Sequence, residues 1–332
     1  MRLRTGLAAL ALSMGLGLGI GVSAPALAQT GSVVMYGYPG KHNDGIVTAF
    51  QKKYPGIKVK VVNGQGPELF ARLIAEKDNP QCDVIDTGVN EVLERPDLFE
   101  PYRSPSHDKF PPWAIVKRGN DVMGYGFTIL IQVFAINTKE MPLSEAPKSW
   151  KDVLDDKYKG KLMLGNPALS TAGLDSATQI YQMFGEEGIK KLAANAQFAS
   201  KTNLVPQSVG RGEVAMGLVE ETKTQALANE GYPVKLVYPS DGVTPTYNIL
   251  GLIKNRPNPE NGRLLVDFLT TREGQNINVK TRNRRTPRID ADPPKGLPPM
   301  STLKINQAVA SDKMVTERDK VVALFNKYYA KR

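Results

Sequence analysis

Ser170 and Thr171, in Leu169-Ser170-Thr171-Ala172-Gly173, stand before a helical pattern through Ile180 and Phe184 that Gly185 should end. Hydroxyls and unpaired backbone N–H groups at a helix N-terminus suit an anion. The same residues would serve equally as plain N-caps. Glu220 and Glu221 come directly after the apolar run Ala215-Met216-Gly217-Leu218-Val219. They could accept hydrogen bonds from hydroxyls or an amine, contribute to a carboxylate-rich metal site, or simply favour the first turn of the next helix. Only one of two adjacent side chains should face a common site. Tyr36, Tyr38 and Tyr247 lie at strand ends, where rings could stack on a sugar or flank a cation. Packing is the alternative, and the better one for Tyr36. Thr87, in a strand-end loop, and Thr128, inside a long apolar run, complete the candidate contacts.

Catalytic patterns are missing from the chain. It holds no Gly-x-Ser-x-Gly elbow, no phosphate-binding Gly-Lys-Ser/Thr loop and no His-Glu-x-x-His helix. With only His42 and His107, a triad or multi-histidine metal centre has little material. Asp155-Asp156 and Glu186-Glu187 fall on charged helical stretches and should face water. Cys82 is the one cysteine, so no intramolecular disulfide forms, and its place beside Val84-Ile85 reads as buried packing. The formal net charge is +10, spread over helix faces. Its one dense cluster, Lys280, Arg282, Arg284, Arg285 and Arg288, reads first as a solvated loop or helix end and second as an anion-facing segment.

The elements that must hold these residues alternate. Residues 33–36 read as a buried strand, then a Gly/Pro turn, a helix through Ile46, Val47 and Phe50, and a strand over 57–62. A helix opened by Pro67 carries the stripe Leu69, Phe70, Leu73, Ile74, and Val84-Ile85 is a further strand. Such alternation implies a mostly parallel sheet covered by helices on both faces. Ligands meet such sheets at the carboxyl ends of the strands, here the loops 37–41, 63–66 and 86–90. Residues 125–137 form a β-type run about twice the usual strand length, long enough to cross between two lobes. Residues 246–253 could return the chain, enclosing a unit with strands at 161–164 and 214–219. Asn258 should then cap a helix with Pro259 at its first position.

Arg2 and Arg4, the uncharged apolar run 7–22 and Ala26-Leu27-Ala28 have the layout of a secretory signal peptide, with cleavage expected between Ala28 and Gln29. The run is rich in Gly and Ala, and short of the ~20 strongly apolar residues that a spanning anchor needs. The mature chain, from Gln29 onward, is long enough for two units.

Several stretches carry a resemblance in order. They are Tyr54-Pro55-Gly56-Ile57-Lys58-Val59, residues 68–84, Trp150-Lys151-Asp152-Val153-Leu154 with Tyr158-Lys159-Gly160-Lys161, Gly210-Arg211-Gly212-Glu213-Val214-Ala215, residues 254–260 and residues 268–275. Together they resemble the bacterial extracellular solute-binding proteins related to ferric-ion, sugar-phosphate and phosphonate receptors. The resemblance implies an α/β, two-lobed periplasmic-binding-protein type II fold with two crossing hinge strands. Lobe 1 would be 29–131 plus 249–332, and lobe 2 would be 132–248. It implies a periplasmic monomer without enzymatic activity, cofactor or nucleic-acid partner, which closes on a small ligand and docks on an inner-membrane ABC permease.

The ferric members of that group resemble this chain but use a His, a Glu and an adjacent Tyr pair. Gly88 stands where the Glu would be, Glu220-Glu221 where the Tyr pair would be, and His42 is out of register. Tyr328-Tyr329, the one adjacent pair, lies near the C-terminus. The expected ligand is therefore a small polar organic solute rather than iron. An anionic group at Ser170 and Thr171, opposite a hydroxyl or amine near Glu220, would suit a phosphorylated sugar or an aminophosphonate. The expected contacts are Tyr38, Thr87, Thr128, Ser170, Thr171, Glu220, Glu221 and Tyr247.

Overall fold

The computed structural model describes residues 29–330 except 307 and 310–312. The signal-peptide segment, 1–28, lies outside the described residues. In chain order the strands and helices are β1 (Gly31–Gly37), α1 (Lys41–Lys53), β2 (Ile57–Asn63), α2 (Gly66–Ala75), β3 (Val84–Gly88), α3 (Val89–Glu94), β4 (Ile115–Arg118) and β5 (Asp121–Asn137). Then come β6 (Leu162–Gly165), α4 (Thr171–Asn195), β7 (Gln197–Ala199), α5 (Leu204–Arg211), β8 (Met216–Glu220), α6 (Glu221–Asn229), β9 (Val234–Val237) and β10 (Pro245–Leu252). The chain ends with α7 (Pro259–Thr270), α8 (Arg272–Arg282), α9 (Lys313–Thr316) and α10 (Arg318–Tyr329).

Two sheet regions share one strand. In the first, β2, β1 and β3 are parallel, and β10 and β4 join antiparallel. In the second, β7, β6 and β8 are parallel, and β9 joins through β5. The 17 residues of β5 belong to both. Ile131 still pairs with Pro245 of β10, whereas Gln132 pairs with Glu220 of β8. The partners therefore change between neighbouring residues. Strand β5 is buried along almost its whole length, which explains why its sequence is a near-continuous apolar run rather than an alternating one. Each half has its own core. One gathers Phe50, Phe127, Leu265 and Phe268, and the other Phe134, Trp150, Leu192 and Leu218. This is the two-lobed type II architecture with crossing hinge strands.

Chain order does not follow the lobes after β10. Helices α7 and α8 pack on the first half, but Val321 and Phe325 of α10 are buried in the second core beside α4. The segment between them passes back across the junction, with Ile305 bridged to Val243.

Two local expectations change. The Asn258 side chain does not cap α7; its Nδ2 and backbone N–H both donate to the buried Asp83 carboxylate. That carboxylate also accepts from Val34 N–H, so it ties the start of α7 to β1. Gly185 does break the helix, at φ 64°, but a second helical stretch continues from it without a loop. Glycine is suited to that left-handed position because it lacks the Cβ clash. Cys82 is buried as packing predicts.

Candidate ligand-binding cleft

The carboxyl ends of the parallel strands in both halves converge on the middle of β5. Three adjoining cavities of ≈ 300, 180 and 370 Å³ lie there, and Leu130 lines all of them, so they form one cleft. Its first wall is Tyr38 to His42, Gly88 to Glu91 and the end of α8; its second is the start of α4 and the β8–α6 junction.

The predicted contacts divide. Tyr38, Thr128, Thr171, Glu220 and Tyr247 line the cleft. Ser170 is set just behind it. Its Oγ accepts from Gly173 N–H at 3.1 Å and contacts the Thr202 hydroxyl at 2.8 Å, so it is the N-cap of α4. Thr87 is fully buried between β3 and its neighbours, while the next residue, Gly88, reaches the cleft. Glu221 does not reach it at all. Its carboxylate is 1% exposed, paired through both oxygens with Arg285, and accepts from Tyr238 Oη at 2.6 Å. The residue after a strand end points away from the face its neighbour serves, which is why one glutamate of the pair is in the cleft and the other in the core.

The α4 N-terminus is pressed tightly against β6. A Cβ on Gly173 would overlap Gly165 O, so glycine is required there for close approach. With Ser170 Oγ taking Gly173 N–H, the Thr171 and Ala172 N–H groups have no partner among the described residues. They sit beside the cavity that Thr171 and Ala172 line.

Basic side chains gather in two of the three cavities. Arg282, Arg284 and Lys223 line the part near α8 and α6. Arg282 donates to the buried Asp86 carboxylate and to Thr128 Oγ1, both at 2.8 Å, and its guanidinium lies 5.8 Å from the Tyr38 and Phe127 ring centres. Arg284 meets Glu220 at 3.0 Å. Burial lowers the Lys223 pKa, and Arg284 adds to that while Glu220 opposes it. Glu91 lines the remaining cavity, and Asp175 lines both that one and the cavity of Arg284 and Lys223. Asp175 pairs with Arg318 of α10 at 2.7 Å, yet burial still pushes its carboxyl up to about 6. Burial also raises Glu91, which has no ion-pair partner among the described residues.

The donor set is a poor one for a hard metal ion. Burial, with the Asp86 and Glu91 charges, moves the Tyr38 phenol up to about 12, and burial does the same for Tyr247. Both phenols therefore stay protonated at neutral pH. Tyr247 Oη moreover donates to Trp113 O at 2.6 Å. His42 is held down at about 4 by burial and then by Arg282. The carboxylate metal site expected as an option at Glu220 and Glu221 is replaced by two arginine pairs.

The basic cluster needs correction as well. Only Lys280 is solvated. Arg285 is buried on Glu221, and Arg288 is buried on Thr270 O and Asp290. Asn283 ends α8 in the left-handed conformation, at φ 50°, and so turns the chain between Arg282 and Arg284. Sequence patterns alone do not single out Asn248, Lys223, Asp175, Glu91 and Arg318, which the structure adds to the cleft. Proximity to the hinge strand was a usable signal for Asn248; Arg318 lies 143 positions from its partner and offered none.

Comparison with known proteins bears on the same region. The family model described as "Bacterial extracellular solute-binding protein" matches residues 45–302. A Salmonella typhimurium periplasmic protein assigned to 2-aminoethylphosphonate binding is 26% identical over 274 residues, covering 76% of this chain and 77% of its own. A Sinorhizobium fredii protein, y4fP, assigned as an ABC transporter periplasmic-binding protein, is 34% identical over 168 residues, 49% of this chain and 45% of its own. Among solved structures, the Actinobacillus pleuropneumoniae binding protein AfuA with fructose-6-phosphate superposes with a TM-score of 0.67 at 24% identity, covering 91% of this chain and 98% of AfuA. Iron-bound HitA from Pseudomonas aeruginosa gives 0.72 at 20% identity, over 90% and 99%. Those two likenesses show the fold. The family match spans both halves and the hinge strands between them, and the chain belongs to the bacterial extracellular solute-binding proteins.

Proposed function

We propose that the cleft captures a small organic anion bearing a phosphate or phosphonate group and, at its other end, a hydroxyl or amine. The observation that carries this reading is the gathering of Arg282, Arg284, Lys223 and the α4 N-terminus along two of the cavities, with Glu91 in the third. An anion draws charge-assisted hydrogen bonds from the first set. Glu91, which has no ion-pair partner among the described residues, is suited to an ammonium or hydroxyl. The amine end thus moves from Glu220, where the sequence pattern put it, to Glu91. Relatives assigned to an aminophosphonate and bound to a sugar phosphate are consistent with this chemistry.

The protein works by binding, not catalysis. Residues 29–131 and 253–290 form lobe 1, and 132–244 with 313–330 form lobe 2, since α10 completes the second core. Closure about β5 and β10 selects the form that the membrane permease recognises, and a monomer suffices for that. Residues 1–28 direct export to the periplasm.

Titration calorimetry tests the ligand. Heat is expected with 2-aminoethylphosphonate or a hexose phosphate. Heat with ferric citrate alone would overturn the reading.

A further inference from the structure

Two consecutive arginines, Arg284 and Arg285, face two consecutive glutamates, Glu220 and Glu221. The Arg285 pair is saturated: Nε and Nη2 both meet Glu221, and Nη1 donates to Pro298 O at 2.6 Å. The Arg284 pair is not. Nη1 and Glu220 Oε2 approach to 3.0 Å, but the angle is unfavourable and neither atom has a hydrogen-bond partner among the described residues. Both nonetheless lie in the wall of the 180 Å³ cavity, with the Glu220 side chain 4% exposed. Glu220 does not depend on Arg284 to keep its place. Its Oε1 accepts from Thr222 N–H at 3.1 Å and from Thr222 Oγ1 at 2.5 Å, capping α6. Around the same cavity stand Lys223, the Thr202 hydroxyl, the Thr171 and Ala172 N–H groups and Asp175, whose carboxylate is taken by Arg318. Gln132 is 4% exposed there, with an unpartnered Oε1.

We propose that Glu220 is an internal competitor for the ligand's anionic group, holding Arg284 until a phosphate or phosphonate displaces it. The inference rests on the anionic-solute reading. An anion in the cavity can meet the guanidinium in line and bidentate, which the capped carboxylate cannot. Displacement leaves Glu220 its cap and the Lys223 charge nearby, so the carboxylate is not stranded. The competition also sets selectivity. Weak or diffuse anions do not outbid a carboxylate already in contact, whereas a dianionic phosphoryl group does.

A double-mutant cycle tests this by calorimetry with 2-aminoethylphosphonate and orthophosphate as probes. Glu220→Gln keeps an acceptor for the α6 cap and should tighten binding about fivefold, the fold-change of a modest ion pair removed. Arg284→Gln should weaken binding at least about tenfold. In the Arg284→Gln background, Glu220→Gln should then make no further difference. Equal tightening in both backgrounds would show that Glu220 acts only as a distant charge, and the exchange would be overturned. So would unchanged or weaker binding by Glu220→Gln. A second measurement needs no variant of Glu220: side-chain NMR of the wild-type protein, with the Arg284 guanidinium assigned through Arg284→Gln. Both the Arg284 and the Glu220 carboxyl signals should move on saturation; movement of Arg284 alone defeats the exchange. Absence of any heat or shift in the wild type with either probe would instead sink the anionic-solute reading itself.

Discussion

Arg285–Glu221 and Arg284–Glu220 are built from the same residue types one position apart, yet they occupy different physical regimes. The first is dry, doubly hydrogen-bonded and supported by Tyr238 and Pro298 O. The second is at the cleft wall, in contact but out of line. A buried pair that loses one partner strands a charge in low dielectric, whereas Glu220, on losing the partly exposed Arg284, keeps its two Thr222 hydrogen bonds and the nearby Lys223 charge. The difference suits one pair to holding the halves together and the other to the proposed exchange with a ligand.

The contrast between the pairs breaks most directly on stability. Arg285→Ala should cost about 3–5 kcal/mol in urea denaturation without ligand, and Arg284→Ala no more than about 1 kcal/mol. Equal costs would erase the distinction. Affinity should run the other way. Arg284→Ala should weaken phosphonate binding about tenfold or more, while Glu221→Gln, which keeps a partner for Arg285, should leave affinity within about twofold. Next in size is Gly173→Ala. Its Cβ would meet Gly165 O, so the α4 N-terminus must shift, lowering stability by about 2 kcal/mol and weakening the anion without touching either pair.

The smallest expected effect is on pH dependence. Asp175 is held at about 6, above its ordinary 3.8, so the folded state keeps the proton longer and stability falls as pH rises through that window. His42 acts in the opposite sense. Held at about 4, below its ordinary 6.5, it contributes stability that is present above 6.5 and lost as pH falls toward 4. The two slopes oppose each other. Asp175→Asn should therefore expose the His42 slope, making the variant more acid-sensitive than the wild type by about 1 kcal/mol between pH 7 and 4.5. Parallel curves of melting temperature against pH would reject the opposition.

The architecture was legible in the sequence because burial on both faces writes a long apolar run. The crossing strand predicted at 125–137 is β5, Asp121–Asn137, and the return predicted at 246–253 is β10, Pro245–Leu252. The cleft's uncharged walls were legible too, since Tyr38, Thr171 and Tyr247 come from strand-end and helix-start positions and Thr128 interrupts the apolar run of the crossing strand. Charge was not. Five basic residues in nine positions look alike in a sequence, but a left-handed Asn283 sends Arg282 to Asp86, Arg284 to the cleft and Arg285 to the core. Glu220 and Glu221 part company for the same reason. Their fates depend on a partner more than sixty residues away, which periodicity does not encode.

Placing α10 on the second core has a consequence for how the chain folds. The first half is incomplete until β10 arrives, and the second until Val321 and Phe325 dock on α4. The first core has all its residues long before the second, whose last partners come from α10. Such long-range contacts slow folding, so the second core should close after the first, and α10 is the contact that sets the delay.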